Sequence, residues 1–167
     1  KTGSGKSTLM NNISNLIKFD KGQIIFDNEI IVNPKENFRI ENLYYIRQNV
    51  YLLNDTILNN VAFGEENKNV DIKHVEDCLI SAGLEKYINK LDLIIGNKGS
   101  KISGGENQLL GFARALYRKP DMLFLDEPTS NLDYKNEKNY FNVIKELNIT
   151  SLLIAHRVKT LDYCNKI

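Results

Sequence analysis

With 167 residues, 42% of them hydrophobic and 26% charged, the chain is long enough to bury a core and has the balance of an ordinary globular domain. A net charge of +1 gives no basic excess of the kind that marks a nucleic-acid footprint. No apolar run approaches the roughly 18 residues that span a bilayer, and Cys78 and Cys164 lack disulfide or metal spacing, which suits a reducing compartment. In chain order, a helix is expected from about Lys6, with Leu9, Ile13, Leu16 and Ile17 on its apolar face. Gly22–Val32 (GQIIFDNEIIV) reads as a hairpin around an Asp27-Asn28 turn. Asn33–Glu41, polar and containing Pro34, reads as loop or a short irregular helix, and Leu43–Leu53 should contain a strand. From Asp55 to Tyr117 apolar residues recur at helical spacing: Ile57 and Val61, then Val75, Leu79 and Ala82, then Leu109, Phe112, Ala113 and Leu116. Gly83 should close one of these helices, and Cys78 lies on its apolar face as a packing residue. Met122–Leu125 and Ser151–Ala155 are compact apolar runs, expected as strands buried on both faces and joined by a crossover helix over Tyr134–Leu147. Strands alternating with helices predict an α/β fold with a mainly parallel sheet.

The residues that carry chemistry begin at the start of the chain. Lys1-Thr2-Gly3-Ser4-Gly5-Lys6-Ser7-Thr8 fits the phosphate-loop pattern G-x-x-x-x-G-K-[ST] except for its first glycine, which would precede Lys1. The chain is therefore expected to be one part of a longer sequence. Closely spaced glycines let successive N–H groups converge on phosphate oxygens, and the positive end of the following helix adds to the attraction. Thr2, Gly3, Ser4, Gly5, Lys6, Ser7 and Thr8 are thus candidate contacts to a nucleoside triphosphate. Lys6 would reach its β- and γ-phosphates, and Ser7 would offer a hydroxyl to Mg²⁺. Met122-Leu123-Phe124-Leu125-Asp126-Glu127 is an apolar run ending in two carboxylates, delivered to the end of a parallel strand where ligands gather. Asp126 suits Mg²⁺ through a water, and Glu127 is placed to polarise a water attacking the γ-phosphate. Ile102-Ser103-Gly104-Gly105-Glu106 precedes an amphipathic helix and forms a second candidate anion nest. The same residues also read as a capping box of Ser103 and Glu106, and both readings can hold. Two nests far apart in one chain suggest that one serves a neighbouring subunit's nucleotide.

The order of phosphate loop, Gln48, ISGGE (102–106), LFLDEPT (123–129), SNLD (130–133) and Ile154-Ala155-His156-Arg157 resembles the ATP-binding cassette (ABC) ATPases over essentially the whole chain. The resemblance implies a P-loop NTPase (RecA-like) fold, α/β with a mainly parallel sheet and an inserted helical subdomain, incomplete at the N-terminus. It assigns residues 1–53 and 118–167 to the RecA-like core and 54–117 to the helical subdomain. It implies ATP and Mg²⁺ as cofactors and a head-to-tail dimer with a second ABC domain. In that dimer Ser103, Gly104 and Gly105 contact the γ-phosphate held by the partner's phosphate loop. Gln48 matches the glutamine that senses Mg²⁺ and faces the transmembrane partner, so Ser7, Gln48 and Asp126 form the metal set. His156 matches the histidine at the γ-phosphate, and Asp133 the aspartate that crosses the dimer interface.

Asp55–Gly64 is similar to the D-T-I-x-x-N-I-x-F-G segment of ABC exporters, and Ile154–Arg157 to their I-A-H-R. The wording of 51–64 and of 164–167 is similar to flippases for lipid-linked sugars. The implied function is ATP binding and hydrolysis that powers export or flipping across a membrane. A transmembrane domain would be fused upstream, this domain would lie on the cytoplasmic face, and no nucleic acid is expected as partner. Departures are Glu106 for the usual Gln, Leu109 for a frequent Arg, Arg47 for a frequent Pro, and a missing Glu in Ile95–Gly99. The alternative is a soluble ABC ATPase acting on DNA or ribosomes, which Glu106 favours. The lack of a heptad run and the near-zero net charge oppose it. A non-hydrolysing module is opposed by the intact Lys6, Asp126, Glu127 and His156. Alone, the 167 residues are expected to bind ATP poorly and hydrolyse little.

Overall fold

The computed structural model describes residues 4–26, 29–31 and 42–167. Thr2, Gly3, the Asp27-Asn28 turn and the 33–41 segment lie outside the described residues. Helix α1 (Lys6–Ile13) follows the phosphate loop, and strands β1 (Ile24–Phe26) and β2 (Glu29–Ile31) pair antiparallel, as the hairpin reading expects. Strand β3 (Leu43–Ile46) leads to helices α2 (Ile57–Val61), α3 (Ile72–Ser81) and α4 (Gly104–Tyr117). Strand β4 (Met122–Asp126), helix α5 (Tyr134–Glu146) and strand β5 (Thr150–Ile154) complete the order. No helix among the described residues is long and apolar enough to cross a membrane.

Strands β3, β4 and β5 form one parallel sheet with β4 in the centre, Ile46 opposite Leu125 and Asp126 opposite Ile154. Side chains alternate across a strand, and β4 divides its residues accordingly. Leu123 and Leu125 enter the main core with α4 and α5, whereas Phe124 joins Met10 and Ile154 on the face covered by α1. The sheet is therefore sandwiched between helices, and β4 is buried on both faces, as its unbroken apolar run predicts.

Helix α4 is the centre of the main core. Its residues 108–116 are all buried, because it packs against α2 and α3 on some sides and against β3 on another. Phe112 stacks on Tyr140 of α5 with ring centroids 3.8 Å apart, a contact worth about 0.5–1.5 kcal/mol beyond the area buried. Buried Arg114 donates to the carbonyls of Asn60 and Tyr51, and to the side-chain oxygen of Asn60. Asn60, the asparagine of the D-T-I-x-x-N segment, also accepts from the Leu53 N–H. This local network fixes the 51–60 segment against α4. Helix α3 ends at Gly83 (φ 76), with Leu84 N–H donating to Leu79 O and Gly83 N–H to Ile80 O. That is the paired geometry a left-handed C-terminal residue allows, and Cys78 is buried as a packing residue.

Two expectations are corrected. Helix α1 ends at Ile13, and it is Met10 that is buried, with Ile13 packed beside it; Leu9, Leu16 and Ile17 are exposed. The contact stripe runs Met10–Ile13, and Leu9 points about 100° away from Met10. Ser14–Ile17 have left the helix, since Asn15 (φ 56) turns the chain and Leu16 N–H caps Asn11 O. Strand β5 is the second correction: Thr150, Ser151 and Leu152 are exposed and only Ile154 is buried. Among the described strands β5 lies at the sheet edge, and the eight residues of α1 cover Ile154 without reaching Leu152.

Candidate functional site

The carboxyl ends of the three parallel strands deliver three loops to one place. After β3 comes Gln48, after β4 Glu127, and after β5 His156. Gln48 Nε2 donates to Glu127 Oε2 at 2.9 Å, and His156 Nε2 lies 2.7 Å from Glu127 Oε1. Both oxygens of one carboxylate are thus engaged by residues from two other strands. Glu127 sits at φ 50, in the left-handed region, while its N–H donates to Ile154 O at 2.9 Å. For a residue with a Cβ this conformation costs about 1–2 kcal/mol. It turns the side chain abruptly away from the direction that continued strand alternation would give it.

Asp126 keeps the parity of Phe124, so it projects on the face that carries α1. Tyr45 OH donates to Asp126 Oδ2 at 3.4 Å. Burial pushes the Tyr45 phenol up, and the neighbouring Asp126 charge adds to that. At the start of α1, Gly5 (φ 83) occupies the capping position without a side-chain cap, and Lys6 Nζ donates to Ser4 Oγ at 3.3 Å. A residue with a Cβ would be strained at Gly5, although nothing would obstruct it in space. Ser7 and Thr8 are exposed on the first turn. Ser7 hydroxyl, Gln48 amide oxygen and Asp126 carboxylate are hard oxygen donors of the kind Mg²⁺ takes.

The second nest is a fully formed capping box. Ser103 Oγ accepts from Glu106 N–H at 3.2 Å, and Ser103 N–H donates to Glu106 Oε2 at 2.6 Å. Glu106 Oε1 accepts from Tyr87 OH at 3.0 Å and pairs with Lys86 Nζ. Burial alone would raise the Glu106 carboxyl; the hydrogen bonds from Lys86, Ser103 and Tyr87 outweigh it and hold the group at about 2. Ser103, Gly104 and Gly105 line an open groove of about 500 Å³ with Asn131, Leu132 and Asp133. None of Ser4–Thr8 contributes to that groove. A Cβ on Gly105 would stand 3.1 Å from the backbone oxygen of Asn131. The glycine therefore permits the close approach of the 130–133 loop to α4.

That loop is held from both sides. Buried Gln108 of α4 donates to Ser130 Oγ at 2.9 Å and accepts from Asn131 N–H at 3.0 Å. Asp133 caps α5 by accepting from Asn136 N–H at 2.8 Å. Glu137, buried, accepts from Thr129 Oγ1 at 3.0 Å and from Thr160 Oγ1 at 2.7 Å, and pairs with Arg157 at 3.5 Å. Arg157 in turn donates to the Ser130 carbonyl at 3.0 Å. Glu137, Gln108, Lys86 and Tyr87 escape a motif-by-motif reading of the sequence. Glu137 alone carries a local signal, an acid in the first turn of a predicted helix, but its bonds to Thr160 and Arg157 depend on β5 returning beside β4. An apolar cavity of about 300 Å³ lined by His74, Cys78, Leu116, Pro120 and Ile149 includes none of the candidate residues.

A phosphate loop leading into a helix packed on a parallel sheet, with carboxylates at the end of the central strand, defines a P-loop NTPase. Residues 1–130 match the family model described as ABC transporter, and the chain belongs to that family. The ATP-dependent lipid A-core flippase of Aliivibrio fischeri is 37% identical over 177 residues, with all of this chain and 30% of that protein covered. The flippase of the same description from Vibrio parahaemolyticus is 38% identical over 175 residues, with the same coverage. Among solved structures, a bacterial Atm1-family ABC exporter with ATP bound superposes with a TM-score of 0.83. It is 30% identical, with 96% of this chain and 29% of that one covered. The chain thus spans about 30% of the length of the curated relatives it matches.

Proposed function

We propose that the chain is the ATP-binding and ATP-hydrolysing part of an ABC exporter, whose cycle powers export or flipping of a substrate across a membrane. The observation that carries this reading is the convergence of Gln48 and His156 on the two oxygens of Glu127 at the carboxyl end of the sheet. In this reading Gly5, Lys6, Ser7 and Thr8 receive the phosphates, together with Thr2, Gly3 and Ser4. Lys6 counters the charge that develops on the γ-phosphoryl group. Glu127 accepts hydrogen-bond donation from the attacking water once Gln48 and His156 turn toward the nucleotide, and His156 steadies the γ-phosphate. Ser7, Gln48 and Asp126 would hold Mg²⁺, which supplies charge neutralisation on the phosphate oxygens when bound.

The two-nest arrangement supports a head-to-tail dimer in which Ser103, Gly104 and Gly105 complete the partner's site and Asp133 lies at the interface. We assign 1–53 and 118–167 to the nucleotide-binding core and 54–117 to the helical subdomain. A transmembrane domain elsewhere in the full-length protein would put this domain on the cytoplasmic face. The DNA or ribosome alternative is not favoured: the relatives are flippases, and the +1 net charge offers no basic footprint.

The test is Glu127→Gln in the full-length protein. ATP binding should persist and the dimer should be trapped closed, while turnover falls about 10²–10⁴-fold, the usual worth of a general base. Normal turnover in that variant would remove Glu127 from the role.

A further inference from the structure

Glu106 presents an electrostatic problem that the structure resolves. A helix start carries roughly half a positive charge and attracts anions. A carboxylate at the third helical position, on the rim of the groove that the proposed dimer would fill with phosphate, works against that attraction. Here both oxygens of Glu106 are turned inward. Oε2 accepts from the Ser103 N–H, and Oε1 takes Tyr87 OH and the Lys86 ammonium.

Lys86 and Tyr87 belong to a 3-10 turn, Glu85–Lys90, anchored by Leu84 just before it and by Tyr87 within it. Leu84 and Tyr87 are buried in the main core, and Tyr87 N–H donates to Leu84 O at 3.0 Å. The Lys86 Nζ lies 5.0 Å above the Tyr87 ring, so its charge is steered along that ring toward Glu106. The Lys86 side chain is 64% exposed and the Glu106 side chain 17%. The cation is thus the solvent-facing member of the pair and the carboxylate the sheltered one.

We propose that Lys86 and Tyr87 are positioning residues for the Ser103–Gly105 nest. They hold the Glu106 carboxylate in its capping geometry and cancel its charge, so that the start of α4 can receive the γ-phosphate of a nucleotide bound by a second copy of the domain. The inference rests on the head-to-tail reading above. It explains how this chain carries an acid in the fifth place of its ISGGE segment and still presents an electropositive nest. The depressed Glu106 carboxyl agrees with a pair that stays charged throughout the neutral range.

The test is ATP hydrolysis by the full-length protein in lipid vesicles, measured against ATP concentration, with thermal unfolding run on each variant. Lys86→Met leaves the Glu106 charge uncompensated, so KM for ATP should rise roughly three- to tenfold while kcat moves less. Tyr87→Phe should raise KM by a smaller factor. Lys86→Arg should behave as wild type. Adding Glu106→Gln to Lys86→Met should return KM to within about twofold of wild type, because glutamine still closes the capping box and needs no counter-ion. An unchanged KM in Lys86→Met overturns the proposal. So does a double variant as impaired as Lys86→Met alone, which would leave Lys86 a role in folding only. Two controls separate this failure from failure of the underlying reading. Normal turnover in Lys6→Ala would sink the ATPase assignment, and normal turnover in Gly105→Asp would sink the two-nest dimer. If both controls lose activity and Lys86→Met does not, only the positioning role falls.

Discussion

The two helix starts that form the candidate nests are built in opposite ways. Helix α1 begins on Gly5 in the left-handed conformation with no side-chain cap, whereas α2, α3, α4 and α5 begin on Thr56, Asp71, Ser103 and Asp133, each accepting from a backbone N–H. Helix α1 has eight residues and buries only Met10; α4 has fourteen and buries an unbroken run of nine. A side chain that caps a helix competes with a ligand for the same N–H groups. The start of α1 leaves its N–H groups without a side-chain cap, whereas the start of α4 closes its own capping box. In the reading proposed above, the first nest is the ligand-dependent end and the second the self-capped end that meets a partner.

The largest effect should come from the ligand-dependent end. Lys6→Ala should lower turnover about 10²–10³-fold through lost charge stabilisation. Its unfolding midpoint should move little, because Lys6 is only half-buried at the start of α1 and lies outside the buried clusters; a large loss of stability there would erase the contrast. At the self-assembled end the balance should reverse. Gly105→Ala would press a methyl group to 3.1 Å from the Asn131 carbonyl oxygen, costing about 1–3 kcal/mol by overpacking. Urea unfolding would read this directly, and an unchanged midpoint would mean that the 130–133 loop yields freely. Ser103→Ala should cost about 1 kcal/mol as a lost cap, while Ser4→Ala should cost nothing measurable by the same assay. Equal effects at the two serines would break the comparison.

A last contrast lies in pH dependence. The Glu106 carboxyl is held at about 2 in the folded chain, below its ordinary value of 4.5. A depressed carboxyl adds stability that is fully present above the unfolded value and is lost as pH falls through the folded one. The stability difference between wild type and Glu106→Gln should therefore shrink steadily from pH 4.5 down to pH 2. A difference that stays constant over that interval would show that the ion pair and cap do not hold the charge.

Much of the site was legible because its chemistry is local. A glycine-lysine-serine turn, a strand ending in Asp126-Glu127 and a capping box at Ser103-Glu106 each occupy a few consecutive residues. Helical spacing in 55–117 and the unbroken run of β4 likewise carry their own period. Legibility failed where a neighbour decides the outcome. Leu9, Leu16 and Ile17 share a plausible apolar face, but the length of α1 and its row of contact selected Met10 instead. Ser151–Ala155 has a core strand's composition, and its place at the edge of the described strands leaves Leu152 exposed.

The sequence by itself determined the chemistry available: which residues can bind phosphate, which carboxylates end the central strand, and in what order the motifs follow. Tertiary structure decided how those groups engage one another. Gln48, Glu127 and His156 come from three strands that meet only when the sheet pairs in register, and Lys86 reaches Glu106 only because Leu84 and Tyr87 anchor its turn in the core. Propensity and motif act over a few residues, whereas hydrogen bonds between distant segments exist only after apolar burial has fixed where each segment lies.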